Sequence, residues 1–172
     1  MRGGFIMSVH FFYDYKDELI KKLKSHYSES LDVQEVAMKE RKQIDEAVKV
    51  IDHYFDELER ELKDVFVVSG GEVKLTRNDE ALIYFSIMDG SIKFIRKDRS
   101  VQIVMGFYVP EEGEVESKVV AYIIPGDKKA KIKKVGKVHN GSTFDENALN
   151  HFMRMAFKDM FFSEEDLSMS VE

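Results

Sequence analysis

The feature that most constrains this chain is the stretch from Val33 to Asp64, which contains neither Gly nor Pro. Ile44, Ile51, Leu58 and Val65 recur every seven residues, and Val48, Phe55 and Leu62 fall between them. Steps of four and three residues keep these side chains on one face of an α-helix. Ala47, Val50 and Tyr54 widen the stripe to one side. Its width lies between the narrow seam of a coiled coil and the broad face of a helix lying on a sheet. At about 1.5 Å per residue the helix is roughly 45–50 Å long. Strands of six to nine residues reach only about 20–30 Å. One end is therefore expected to overhang a sheet, to cover a neighbouring helix, or to meet a second copy. That argument marks Ile44, Val48, Ile51, Phe55 and Leu58 as an expected interaction surface, with a homodimer as its simplest use.

The remainder of the chain suits one α+β domain. Its 172 residues can bury a real core, and 44% apolar with 34% charged residues is a globular balance. Residues 5–13, FIMSVHFFY, read as a first strand or an apolar lead-in, and Asp14 offers an N-cap. Tyr15, Leu19, Leu23 and Tyr27 predict a first helix over 15–27, broken by Ser28-Glu29-Ser30. Ser30 or Asp32 would then cap the long helix, and so short a link predicts antiparallel neighbours or a sharp angle. After Asp64 the period becomes alternating. Strands are expected at Glu72–Arg77, Ala81–Ile87, Ser91–Lys97, Val101–Val109, Val115–Ile124 and Lys131–Val138. Ser69-Gly70-Gly71, Asn78-Asp79, Asp89-Gly90, Asp98-Arg99, Pro110–Gly113 and Pro125–Asp127 separate them, Asp89-Gly90 being the strongest hairpin signal. Such spacing predicts an antiparallel meander of five or six strands, one face covered by helices. Thr143 and Glu146 match a capping box before a last helix, from about Phe144 to Phe162, with Leu149, Phe152, Ala156 and Met160 as its buried stripe.

Two helices, six strands and a closing helix, with residues 5–13 as a first strand, give an element order that resembles the helix-grip fold of the START and Bet v 1 families. The resemblance is one of order alone and implies a cavity between the sheet and the C-terminal helix. The ends read separately from the domain. Residues 1–6 are read as a translated ribosome-binding leader, with the native start at Met7, or as a flexible tail; 7–162 form the domain; 163–172 are an acidic tail. A purine-rich leader of that kind points to a bacterial or phage gene, and so to the cytoplasm.

The chemistry is sparse. With no Cys, disulfides and thiolate metal sites are excluded. No apolar run approaches the roughly 20 residues of a membrane helix. His10, His26, His53, His139 and His151 form no paired metal motif, no Ser sits in a nucleophile elbow, and Gly70-Gly71 lacks the rest of a phosphate loop. His53 stands near Asp52, Asp56 and Glu57, which read more simply as a solvated helix face. Asn147 and His151 share a helical face as a polar pair. No cofactor is called for. The strongest local bias is basic: Lys128, Lys129, Lys131, Lys133, Lys134 and Lys137. Lys129, Lys131, Lys133 and Lys134 are the candidate strip for an anionic partner. Lysines also protect exposed sheet edges, and a net charge of −6 with no interleaved aromatics disfavours nucleic acid.

Three functional expectations follow, in this order. The first is a non-enzymatic protein-binding or regulatory module such as an adaptor, chaperone-like protein or inhibitor. The second is a small-molecule or lipid binder with a pocket between the sheet and the C-terminal helix. The third is an enzyme with an unrecognised site. A deep apolar cavity with convergent polar groups would favour the second; an exposed apolar stripe on a helix would favour the first.

Overall fold

The structure, a computed structural model, describes residues 15–135 and 141–161. It divides into two compact units, Met1–Lys39 and Glu40–Glu172.

Within the first unit, residues 15–26 form helix α1. A single turn residue, Tyr27, separates it from α2 (Ser28–Glu61). The Tyr27 N–H donates to the Leu23 carbonyl (3.1 Å), and the Tyr27 carbonyl accepts the Leu31 N–H (2.9 Å). Those are the ordinary i→i−4 bonds of an α-helix. The break expected at Ser28-Glu29-Ser30 is therefore absent. All three residues are helical, and no loop is present in which α1 and α2 could reverse direction. Neither Ser nor Glu is a strong helix breaker when no Gly or Pro accompanies it.

The second unit takes α2 from Glu40 onward, followed after Leu62 by the short helix α3 (Lys63–Val68). Ser69 ends α3, its N–H bonded to the Val65 carbonyl. Gly70 and Gly71 then turn the chain at φ of 63° and 94°, where a side chain would be strained.

Six strands follow in sequential order: β1 (Val73–Thr76), β2 (Ile83–Ile87), β3 (Gly90–Arg96), β4 (Val101–Val109), β5 (Glu114–Ile124) and β6 (Lys131–Lys134). Every neighbouring pair is antiparallel. Helix α4 (Glu146–Phe161) completes the described chain and packs on β3 and β4. This is the α+β arrangement the sequence predicts, with its long second helix. The strand that a helix-grip order would need at residues 5–13 lies outside the described residues, as does the end of the expected sixth strand.

One face of the sheet supplies the core. Ile83, Phe85, Ile92, Phe94, Val101, Ile103, Met105, Ala121 and Ile123 alternate inward and are buried. Ile44, Ala47, Ile51 and Phe55 of α2 join the same cluster, as do Leu149, Phe152, Ala156 and Phe157 of α4. The Phe55 ring sits 5.7 Å from Phe94 and 6.0 Å from Phe85, whose other neighbour is Phe157 at 5.3 Å. In α4, Met160 is only half-buried, so the expected buried stripe is complete at Leu149, Phe152 and Ala156 and partial at Met160; Met155 is exposed.

One turn and one helix cap differ from expectation, and one strand pair carries an irregularity. The two residues that close the β2–β3 hairpin are Met88 and Asp89, since Ile87 pairs with Gly90. Met88 takes φ 53°. Gly90 is needed for another reason: a Cβ there would collide with the Met160 side chain. The register of β4 on β5 shifts between Ile103 and Val104, leaving Val120 as an extra residue. Beyond Gly106, the last β4 residue paired with β3, the two strands continue alone to Val109 opposite Glu114. Finally, α4 is capped by Asp145, whose Oδ1 accepts the Ala148 N–H at 2.9 Å. The Thr143–Glu146 capping box does not form, because Thr143 bridges to Lys131 and extends the sheet edge.

Candidate functional site

The residues marked in sequence as an interaction surface are placed by α2 against the sheet. Ile44, Ile51 and Phe55 have no exposed surface, and Val48 and Leu58 are half-buried against the same cluster. Ile44, Ile51 and Phe55 thus serve the core of the second unit, with Val48 and Leu58 packed against it.

Polar contacts at both ends of this stretch fix its register. Arg41 makes two bonds to the Asp98 carboxylate (2.8 and 3.1 Å), Arg99 reaches Glu40 (3.1 Å) and Arg96 reaches Asp45 (2.8 Å). Further along, Arg77 bridges Asp56 and Glu59 at 2.5 and 2.6 Å. The Arg41 guanidinium holds the Asp98 carboxyl below its ordinary range by hydrogen bonding. Burial pushes the Asp52 carboxyl up, opposed by Arg77. Gln43 locks onto the turn before β6, donating to the Gly126 carbonyl (3.0 Å) and accepting its N–H (2.8 Å). Arg96 and Arg99 are thus held by carboxylates.

The lysine strip is divided between faces. β6 is an edge strand, as the protective reading of its lysines expects. Strand alternation puts Lys131 and Lys133 on one side and Lys134 on the other, with Ile132 buried beside it. Part of the edge is covered: Ile132 donates to the Ser142 carbonyl and Phe144 to that of Ala130. Lys129 belongs to a different feature, a groove of about 490 Å³ between α2, the approach to β6 and the start of α4. Ala47, Val50, Ala130 and Phe144 give this groove an apolar floor, and Glu46, Lys49, Lys129, Asp145 and Glu146 a charged rim. His53 lines it too, apart from any metal-holding group: among the described residues no three His, Asp or Glu side chains stand close enough to hold an ion. Asn147 and His151 line a second hollow of about 410 Å³ with Lys134 and Phe152. Among the described residues, no buried side-chain nitrogen or oxygen lacks a hydrogen-bond partner. Neither depression therefore holds a polar group left waiting for a ligand.

The feature that sequence reasoning missed lies in the first unit. Leu19, Ile20, Leu23, Tyr27 and Leu31 are all between 41% and 54% exposed. Leu19, Leu23, Tyr27 and Leu31 follow at four-residue steps, so they form one ridge of side chains across the junction of α1 and α2. Their spacing is plain in the sequence, where it reads as the buried stripe of a first helix. Periodicity alone does not distinguish a stripe buried within its own chain from one that stands exposed among the described residues.

No family model, no curated protein and no solved structure matches the chain.

Proposed function

We propose that this chain is a non-enzymatic protein-binding module, and that its contact element is the ridge Leu19–Leu23–Tyr27–Leu31. The observation that carries this reading is the exposure of four large apolar side chains aligned on one helical face. Scattered exposed apolar residues are ordinary on any surface; a contiguous row at helical spacing is the form in which helices bind helices. The partner that fits is an amphipathic α-helix, because its own side-chain ridges interlock with a four-residue row. The groove lined by Ala47, Val50 and Phe144 supports a small-ligand reading less well, since its floor is shallow in polar anchors and its charges lie on the rim.

A photo-crosslinking amino acid at position 23 tests the reading, with position 93, on the face of the sheet opposite the core, as control. The expected result is an adduct from position 23 alone, mapped by mass spectrometry to one short partner peptide with apolar residues at helical spacing. No adduct from position 23, or adducts scattered over many unrelated peptides, overturns it.

A further inference from the structure

The charges around the ridge are unevenly divided. Residues 15–26 carry Lys16, Lys21, Lys22 and Lys24 against Asp17 and Glu18, a net of +2; residues 28–39 carry Glu29, Asp32 and Glu35 against Lys39, a net of −2. At about 100° per residue, Lys22 and Lys24 fall on opposite flanks of the ridge, Glu35 continues its four-residue row beyond Leu31, and Glu29, two residues from both Tyr27 and Leu31, faces away from it. The basic half and the acidic half are thus two ends of the same apolar row.

Resting on the protein-binding reading, we infer that the helix this ridge receives is the same segment of a second copy, lying antiparallel across it. Antiparallel pairing sets the lysines of each copy against the carboxylates of the other; parallel pairing would set like charges together. A two-fold contact of this kind satisfies both copies with one surface. A row at four-residue steps also selects the geometry. Such rows interlock at a crossing of about −50°, and a coiled coil would need alternating steps of three and four. Contact is therefore centred on Leu23 and Tyr27. A single crossing buries less than the roughly 800 Å² per partner of a standard interface, so the dimer is weak, with a dissociation constant on the order of tens of micromolar.

Sedimentation equilibrium of the full chain from about 1 to 500 µM tests this. The expected result is a monomer–dimer equilibrium that weakens severalfold as salt is raised. Leu23→Asp with Leu31→Asp is expected to leave a folded monomer, since both positions are exposed. Reversing Lys21, Lys22 and Lys24 to Glu is expected to abolish the dimer, and adding Glu29→Lys, Asp32→Lys and Glu35→Lys to restore it. A monomer at every concentration overturns the inference, as does a charge-reversed chain that dimerises as well as the original. If the purified chain is monomeric while position 23 crosslinks to one helical peptide of another protein, the self-pairing fails and the protein-binding reading stands. If position 23 gives no adduct either, both fall.

Discussion

Two parts of one helix have opposite fates in this protein. Residues 28–39 of α2 present Leu31, Val33, Val36 and Met38 to solvent, whereas residues 40–61 bury Ile44, Ala47, Ile51 and Phe55 completely or nearly so. No glycine, proline or gap in hydrogen bonding separates them. What changes at Glu40 is the supply of partners. From there the β3–β4 turn offers Asp98 and Arg99, the turn before β6 offers Gly126, and the sheet offers Phe85 and Phe94. Helical periodicity states where an apolar stripe lies. Whether anything covers it is decided by elements far away in sequence.

The sharpest way to test that contrast is to truncate one large side chain on each part. Phe55→Ala is expected to cost about 3–5 kcal/mol in urea unfolding, through a cavity between α2 and the sheet. Leu23→Ala, measured below the association range, is expected to stay within about 0.5 kcal/mol of the original chain. Equal costs would mean that the first unit is as well packed as the second.

A second comparison concerns the start of α4, a helix that belongs wholly to the packed unit. Asp145→Ala is expected to lower stability by about 1 kcal/mol through loss of the bond to the Ala148 N–H. Thr143→Ala should cost less, since its part in the fold is a backbone bridge that alanine keeps. Thermal unfolding of the two variants checks the order.

Amide exchange should divide α2 without any mutation. The N–H groups of Ile51 and Phe55 are expected to exchange only with global unfolding, and those of residues 19–36 far faster in dilute protein. Uniform protection along the helix would break the contrast.

The smallest effect lies at the boundary. Asp98 has its carboxyl pulled below the ordinary range by Arg41, so this pairing contributes fully at neutral pH and down to the ordinary aspartate range. Its contribution declines as pH falls through that range, where the unfolded carboxyl takes its proton, and is gone once the folded carboxyl is protonated too. Carboxyl NMR titration should show Asp98 titrating low, and Arg41→Ala should return it toward 3.8, the ordinary value.

Much of the fold was legible in the sequence, for reasons these residues make clear. The unbroken three- and four-residue steps from Ile44 to Leu62 could only be a helix, and Val101–Val109 was an obvious strand with turn signals on both sides. The apolar face of α4 was equally plain at Leu149, Phe152 and Ala156. Local signals failed where two structures competed for the same residues. Thr143 looked like a cap but serves the sheet edge beside Lys131, so capping falls to Asp145. Asp89-Gly90 looked like the centre of a turn but stands one residue late, since Gly90 must pass beneath Met160. The boundary at Lys39 left no trace, because Leu31, Val33 and Val36 resemble core positions in everything but their surroundings. The ridge at Leu19–Leu31 was visible as a pattern and misread for the same reason.

The β4–β5 ribbon beyond Gly106 has a consequence for handling the molecule. Among the described residues, Phe107–Val109 pair with Glu114–Glu116 and with no third strand. A two-stranded ribbon is marginal by itself. It should fray and re-zip as a local event while the sheet beneath stays shut. Its tip at Glu111-Glu112 is thus the natural place to splice in a tag or reporter, or to accept a protease nick, with the core left intact.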